Sequence, residues 1–284
     1  MNGPESGELA RKMHRTLEAY HGMIYFAPEA QSEYERLGLP AAEYFKGYFA
    51  SRSAAMGAVP ADVVIATFYN FHPDLVRAAV PSCWVIAPPP EWQTARRRAA
   101  QMALRRLLGD RLDAADVREA AELAREAALV CSPAGRPLFA GHRSLEWPDS
   151  PDLALWHAIS LLREYRGDGH VSVLVNAEVS PSEALMLHET SGMIPAGFLQ
   201  PSRAWSDDEW EAAKQRLRDR GWLEGEELNV AGREAREEIE RRTDELAMTP
   251  WAALGDARCA RLRELVRPLS KGILAAGGFA GVRT

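Results

Sequence analysis

Apolar residues recur every three or four positions along most of this chain, which is the period of an α-helix with one buried face. The first such segment, residues 8–21, places its apolar side chains on one stripe: Leu9, Met13, Leu17 and Tyr20. The same period predicts further long helices over residues 91–108, 113–130, 153–166, 207–220 and 232–247. The pattern therefore predicts a mostly α-helical protein.

Proline and glycine interrupt this pattern between Cys131 and Pro151. Such residues break helices and strands, so the stretch predicts a linker laid over the surface. We therefore expect two helical lobes, an N-terminal one over residues 1–131 and a C-terminal one over residues 151–284, joined by a linker over residues 132–150.

The C-terminal lobe shows the order of a helix-turn-helix unit. The expected elements are a helix over 153–166, a glycine turn at 167–169, a short helix over 170–177 and a third helix over 181–190. Ser206 predicts the cap of the next helix, and Gly225 predicts the turn of a short hairpin that follows it. This order predicts a winged helix-turn-helix with a β-hairpin wing.

Two stretches of sequence carry resemblances to known families. Residues 217–233, LRDRGWLEGEELNVAGR, resemble the LxxRGLL…LTxxGR signature of MarR-like winged helices. Most of the chain resembles an actinobacterial family of helix-turn-helix proteins of unassigned function. The residues that carry this second resemblance are 20–21, 25–29, 66–71, 155–158 and 162–170. It implies a helix-turn-helix fold and no particular activity.

Composition narrows the class of protein. A chain of 284 residues that is 46% hydrophobic is long enough for one large or two small globular units, and it is not a disordered chain. No run approaches the roughly 20 apolar residues of a membrane span, and residues 1–8 are polar, so we expect a cytoplasmic protein without a membrane partner. The three cysteines lie far apart, which argues against a disulfide framework.

Charge argues against DNA as a partner. Residues 206–248 hold fourteen acidic and eight basic side chains, and the chain as a whole has a net charge of −6. Both candidate recognition helices, 182–190 and 207–220, carry acids in their first turns, and the predicted wing at 224–227 holds three more carboxylates. Because phosphate contacts contribute much of the affinity for DNA, we expect nucleic acid not to be a partner.

One basic cluster leaves open the opposite interpretation, that the protein binds DNA. It consists of Arg96, Arg97, Arg98, Arg105 and Arg106 on the helix predicted over 91–108. In a homodimer these side chains could track a phosphate backbone. We favour the simpler interpretation, a solvated helix face.

Polar residues concentrate between positions 156 and 170. His157 and Glu164 are seven residues apart and share a helix face. Asp168 could turn back toward a histidine and orient it for acid/base catalysis by His157 or His170. The alternative is that Asp168 caps the helix that starts near His170. Whether the protein is an enzyme stays open.

Aromatic and basic residues of both lobes suggest a ligand pocket between them. The residues expected to line it are His21, Tyr25, Tyr69, Asn70, Arg163, Glu164 and Arg166. The arginines are suited to a carboxylate or phenolate of an aromatic ligand. His14, Glu18 and His21 follow an HxxxExxH spacing, but the second copy that a di-metal site needs is missing, so we expect neither a metal nor a cofactor.

These observations favour a protein that binds a small organic molecule on a winged-helix scaffold and does not bind DNA. The alternative is a ligand-responsive DNA-binding transcriptional regulator. A third interpretation is a protein-interaction module that uses the winged helix as the surface of a homodimer. The GxSxG, GxxxxGK[ST], HExxH and GxGxxG motifs of common catalytic and nucleotide sites are absent from the sequence.

Overall fold

Helices account for nearly all of the regular structure, as the sequence predicts. The computed structural model describes residues 4–190 and 197–279. The helices are α1 (Pro4–Gly22), α2 (Pro28–Arg36), α3 (Tyr44–Ser53), α4 (Ala61–Phe68), α5 (Pro73–Ala79), α6 (Cys83–Ile86), α7 (Pro89–Leu108), α8 (Ala115–Leu129), α9 (Pro137–Arg143), α10 (Pro151–Asn176), α11 (Pro181–Glu189), α12 (Leu199–Ser202), α13 (Asp207–Asp219), α14 (Val230–Leu246), α15 (Thr249–Leu254) and α16 (Asp256–Ala275). The strands β1 (Leu223–Glu224) and β2 (Glu227–Leu228) form an antiparallel hairpin between α13 and α14.

The larger hydrophobic core surrounds α10. This helix packs against α8, α1 and α14, while α16 packs against α1 and α8. Met13, Tyr20, Trp92 and Phe139 are fully buried in it. Because the same core holds residues from α1 to α16, both of the predicted lobes contribute to it.

A second, smaller core joins the end of α10 to α11, α13, the hairpin and α14. Its buried members are Val173, Leu174, Val179, Met186, Leu187, Ala213, Leu217, Leu223, Leu228 and Ile239. Local sequence sets the start of two of these helices, since Ser180 and Ser206 each form a capping box with a glutamate three residues later. Gly225 adopts the positive φ of 62° that the tight hairpin turn requires. The predicted hairpin is therefore confirmed.

Two predicted breaks are wrong. The stretch 132–150 is not a surface linker, because it contains α9, whose Leu138, Phe139 and His142 are buried. The glycine turn at 167–169 is also absent, because α10 runs unbroken from Pro151 to Asn176.

The packing around α10 explains why this helix continues. A glycine inside a helix costs about 1 kcal/mol, which the burial of this long helix in the core outweighs. Gly169 also leaves room for Arg136, since an added Cβ would lie 2.6 Å from its Nη1 and this side chain would have to shift. None of the helices in the described ranges is both long and apolar enough to cross a membrane.

Candidate functional site

A group of polar side chains in the interior is built around Tyr25, which follows α1 on a short 3-10 turn. Nε2 of His21 lies 2.7 Å from the Tyr25 hydroxyl oxygen, and Nδ1 lies 2.8 Å from Oγ of Ser160 on α10. The His21 ring stacks on Trp156 with a centroid distance of 6.1 Å. Burial, together with nearby arginines, lowers the pKa of His21 well below its usual value. The imidazole is therefore neutral and serves as a hydrogen-bonding bridge between α1 and α10.

Three guanidinium groups surround the Tyr25 ring. Those of Arg52, Arg96 and Arg163 lie 5.5, 5.3 and 5.7 Å from its centroid. Nη2 of Arg96 also donates a hydrogen bond of 3.3 Å to the Tyr25 hydroxyl. They come from α3, α7 and α10, so only the tertiary fold brings them together.

Glu164 partly balances this charge. It accepts hydrogen bonds of 3.0 and 3.1 Å from Nη2 of Arg52 and longer ones from Arg163. Burial opposes its ionisation, but the two arginines outweigh burial and lower the pKa of Glu164 to about 2. Arg163 pairs in addition with Glu18 at 3.1 Å, at the half-exposed edge of the cluster. We call His21, Tyr25, Arg52, Arg96, Arg163 and Glu164 the Tyr25 cluster.

The Tyr25 cluster contains four of the predicted pocket residues: His21, Tyr25, Arg163 and Glu164. Sequence reasoning missed Arg52 and treated Arg96 as part of a solvated face. That interpretation is wrong for Arg96, which is 1% exposed. A signal was available, because Arg96 lies four residues after the buried Trp92 and so falls on the apolar stripe of α7.

The neighbouring basic residues of α7 behave differently. Arg105 forms an ion pair of 2.8 Å with Asp113, and Arg106 one of 2.5 Å with Glu29. Both arginines are about half exposed. The predicted basic cluster therefore divides into one interior arginine and surface arginines.

Arg166 lies outside the Tyr25 cluster. It binds Glu240 at 2.8 Å and Asp244 at 2.9 Å, and Arg11 reaches the same aspartate at 2.6 Å. These pairs fasten α10 and α1 to α14. A cavity of about 20 Å³ between α1 and α10 is bordered by Arg166 and His14, and it has room for one water molecule.

The three residues proposed for acid/base catalysis do not contact one another in this structure. His157 packs edge-to-face on Trp147, with centroids 4.8 Å apart. Asp168 accepts a hydrogen bond of 2.9 Å from the backbone N–H of Phe139 and so caps α9. Nδ1 of His170 lies 2.9 Å from Oγ1 of Thr243 on α14. Asp168 therefore caps a helix, as one of the two interpretations expects, although the helix is α9.

Tyr69 and Asn70 connect the small core to the rest of the molecule. The Tyr69 hydroxyl donates to the carbonyl of Val179 at 2.5 Å, and Nε1 of Trp205 donates to the carbonyl of Asn70 at 3.1 Å. Nearby, Nε2 of His72 lies 3.0 Å from Glu209. The two residues predicted to line the pocket therefore hold the segments before α11 and α13 in place.

The solvent side of α13 carries a network of charged side chains. Nζ of Lys214 lies 2.5 Å from a carboxylate oxygen of Glu226 in the hairpin turn, and Nη2 of Arg218 lies 3.2 Å from the other. Nη1 of Arg218 also binds Glu211 at 2.7 Å. In the first turn, Glu209 accepts hydrogen bonds from the backbone and side chain of Ser206. Glu209 thus caps α13, and Glu211 pairs with bases of the same helix.

In the small core α11 packs against α13, the short α12 lies between them in the chain, and the hairpin directly follows α13. A family model described as a helix-turn-helix family matches residues 10–280, so the chain belongs to this helix-turn-helix family. No curated protein and no solved structure matches the chain.

The family match corrects one prediction. We expected nucleic acid not to be a partner, and the match overturns this, because the helix-turn-helix is a DNA-binding motif. The expectation failed because it counted charges along the sequence. Formal charge does not show that Glu209 is engaged in capping, or that Lys214 and Arg218 stand together beside the hairpin.

Proposed function

We propose that the protein is a DNA-binding regulator in which α11 and α13 form a winged helix-turn-helix and the β1–β2 hairpin is its wing. The family match supports this proposal, as does the separate small core that holds these elements together. In such units the second helix enters the major groove and the wing approaches the backbone. Here those elements are α13 and the residues around Glu226.

The observation that carries the proposal is the pair of bases on the second half of α13. Lys214 and Arg218 are one helical turn apart, and both contact Glu226. The Glu226 side chain is 67% exposed, so this contact is a surface ion pair and contributes little stability. A DNA phosphate can displace it, because neutralising phosphates releases condensed counterions.

Fluorescence anisotropy with labelled duplexes from the region upstream of the gene tests the proposal on the full chain. We expect salt-dependent binding. Replacing both bases, Lys214→Gln with Arg218→Gln, should lower the affinity for DNA at least about tenfold. It should also reduce the magnitude of the slope of log affinity against log salt concentration by about 2. The matched control is Arg241→Gln with Arg242→Gln, which removes the same charge from exposed positions of α14 and should leave affinity within about twofold.

A third variant tests the direction of the effect. Glu226→Gln removes the acid that competes with phosphate, so affinity should rise by about threefold. If no duplex binds at low salt, or if the α13 and α14 double variants lose the same affinity, DNA recognition by this surface is refuted.

The contacts between the small core and the N-terminal half suggest how such a regulator responds to a ligand. The segment that leads into α13 is held by His72, whose backbone N–H donates to the carbonyl of Arg203 at 3.0 Å, and by Trp205, which binds Asn70. A change in the position of α5 would move this segment. We propose that ligand binding in the N-terminal half reaches α13 by this route.

A further inference from the structure

The interior beside Tyr25 holds more positive than negative charge. Its guanidinium groups belong to Arg52, Arg96 and Arg163 of the Tyr25 cluster. Its carboxylates are Glu164 and, at the edge, Glu18. Three guanidinium groups against two carboxylates leave an excess of one positive charge.

Arg96 is the group with the least compensation. It is 1% exposed, and no carboxylate lies within 4.0 Å of it among the described residues. Its hydrogen bond to the neutral Tyr25 hydroxyl is 3.3 Å long, and its Nε has no partner in the described ranges. The rings of Tyr25 and Trp156 face the guanidinium at 5.3 Å each. Cation–π contacts offset part of the desolvation cost but do not neutralise the charge.

A second arginine shares one feature with Arg96, a buried Nε without a partner in the described ranges, although its charge is paired. Arg52 is 7% exposed, and its Nε is also buried without a partner, although its Nη2 holds Glu164. Its guanidinium carbon lies 4.4 Å from the Phe68 centroid. Two unsatisfied guanidinium N–H groups therefore lie in one aromatic environment. This combination is suited to a carboxylate attached to a planar ring.

We propose that the Tyr25 cluster is the binding site of an aromatic carboxylate, whose carboxylate group takes the open N–H positions of Arg96 and Arg52. The ligand ring replaces contacts among Tyr25, Tyr48 and Phe68, which stack around Arg52. Access runs past Glu18 and Arg163, since this ion pair stands at the edge with side chains 34% and 27% exposed.

The site is connected to the DNA-binding segment through Arg203. This residue lies between α12 and α13, and its guanidinium carbon is 4.5 Å from the Phe71 centroid. The Phe71 ring lies 5.5 Å from the Tyr48 ring, and the guanidinium of Arg52 faces the Tyr48 ring at 5.3 Å. Burial lowers the pKa of Arg203, and repulsion from the charge of Arg52 lowers it further. An added carboxylate relieves this repulsion. The regulatory consequence rests on the proposed function, whereas the binding site does not.

The first test measures the melting temperature of the full chain with benzoate, benzamide or chloride at equal ionic strength. Benzoate should raise the melting temperature in proportion to the logarithm of its concentration above Kd, because it binds the folded state alone. Benzamide has the same ring without the charge and should have no effect. If benzoate has no effect beyond that of chloride, or benzamide equals it, the proposal is overturned.

The second test removes the uncompensated charge of Arg96. Arg96→Met keeps an unbranched, apolar side chain between Tyr25 and Trp156 and removes the guanidinium charge. It should raise the melting temperature of the ligand-free protein by several degrees and abolish the response to benzoate. Arg98→Gln, an exposed arginine of the same helix, is the control and should change neither. A lower melting temperature for Arg96→Met than for the control would mean that Arg96 is structural, and would overturn the proposal.

The two proposals can fail separately. The anisotropy assay repeated with benzoate should show a change in DNA affinity of at least threefold in the wild type and none in Arg96→Met. If benzoate stabilises the protein and no duplex binds, the carboxylate site stands and the DNA-binding function falls. If duplexes bind and benzoate does not, the reverse holds.

Discussion

His157 allows a direct test of how burial shifts a pKa and thereby changes the stability of this protein with pH. It is 5% exposed on α10, and its Nε2 has no partner among the described residues. Burial, with Arg97 and Arg125 nearby, lowers its pKa to about 4. The variant His157→Phe keeps a ring against Trp147 and removes the titrating group.

The expected magnitude follows from linkage. In the unfolded chain a histidine titrates near pH 6.5, so below that pH the unfolded state takes up a proton that the folded state does not. Stability is therefore lost as the pH falls. At about 1.4 kcal/mol per pH unit, His157 should lower the free energy of unfolding by about 2 kcal/mol between pH 7 and pH 5. The loss stops below about pH 4, where the folded state also binds the proton.

Urea unfolding followed by circular dichroism at pH 7, 6 and 5 measures this effect. The difference in unfolding free energy between His157→Phe and the wild type should shift by about 2 kcal/mol in favour of the variant as the pH falls. A constant packing penalty in the variant cancels from this shift. Leu161→Val, which changes packing on the same helix without removing a titrating group, should show no shift. A difference that stays constant from pH 7 to pH 5 would refute the reasoning.

Two further predictions concern local geometry. Asp168→Ala removes the cap of α9, whereas Asp168→Asn retains an acceptor for the N–H of Phe139. The alanine variant should therefore be less stable than the asparagine variant by about 1 kcal/mol. Equal melting temperatures of the two variants would contradict the capping role. Gly232→Ala places a Cβ 2.1 Å from the carbonyl oxygen of Trp222 and should cost about 1–3 kcal/mol in thermal unfolding. Glu234→Ala, exposed on the same helix, should change stability by less than about 0.5 kcal/mol, and a similar value for Gly232→Ala would show that the hairpin adjusts freely.

Much of the fold could be predicted because it depends on residues close together in the chain. The apolar period predicted α1, α7 and α8 to within a few residues, and the caps at Ser180 and Ser206 predicted the starts of α11 and α13. A capping box involves four consecutive residues, and a helical stripe repeats within two turns. These signals are therefore present in any short window of the sequence.

The sequence by itself thus determined the helical class, the hairpin and the membership of His21, Tyr25, Arg163 and Glu164 in one polar site. Tertiary structure alone decided that α10 continues through Gly169 and that Asp168 caps α9. It also decided the charge balance of the Tyr25 cluster, because its arginines come from α3, α7 and α10. The physical reason is the separation of the interacting residues along the chain. A helix period involves residues close in sequence and shows which face of a helix is buried, whereas the charge of a buried site depends on which distant elements pack there.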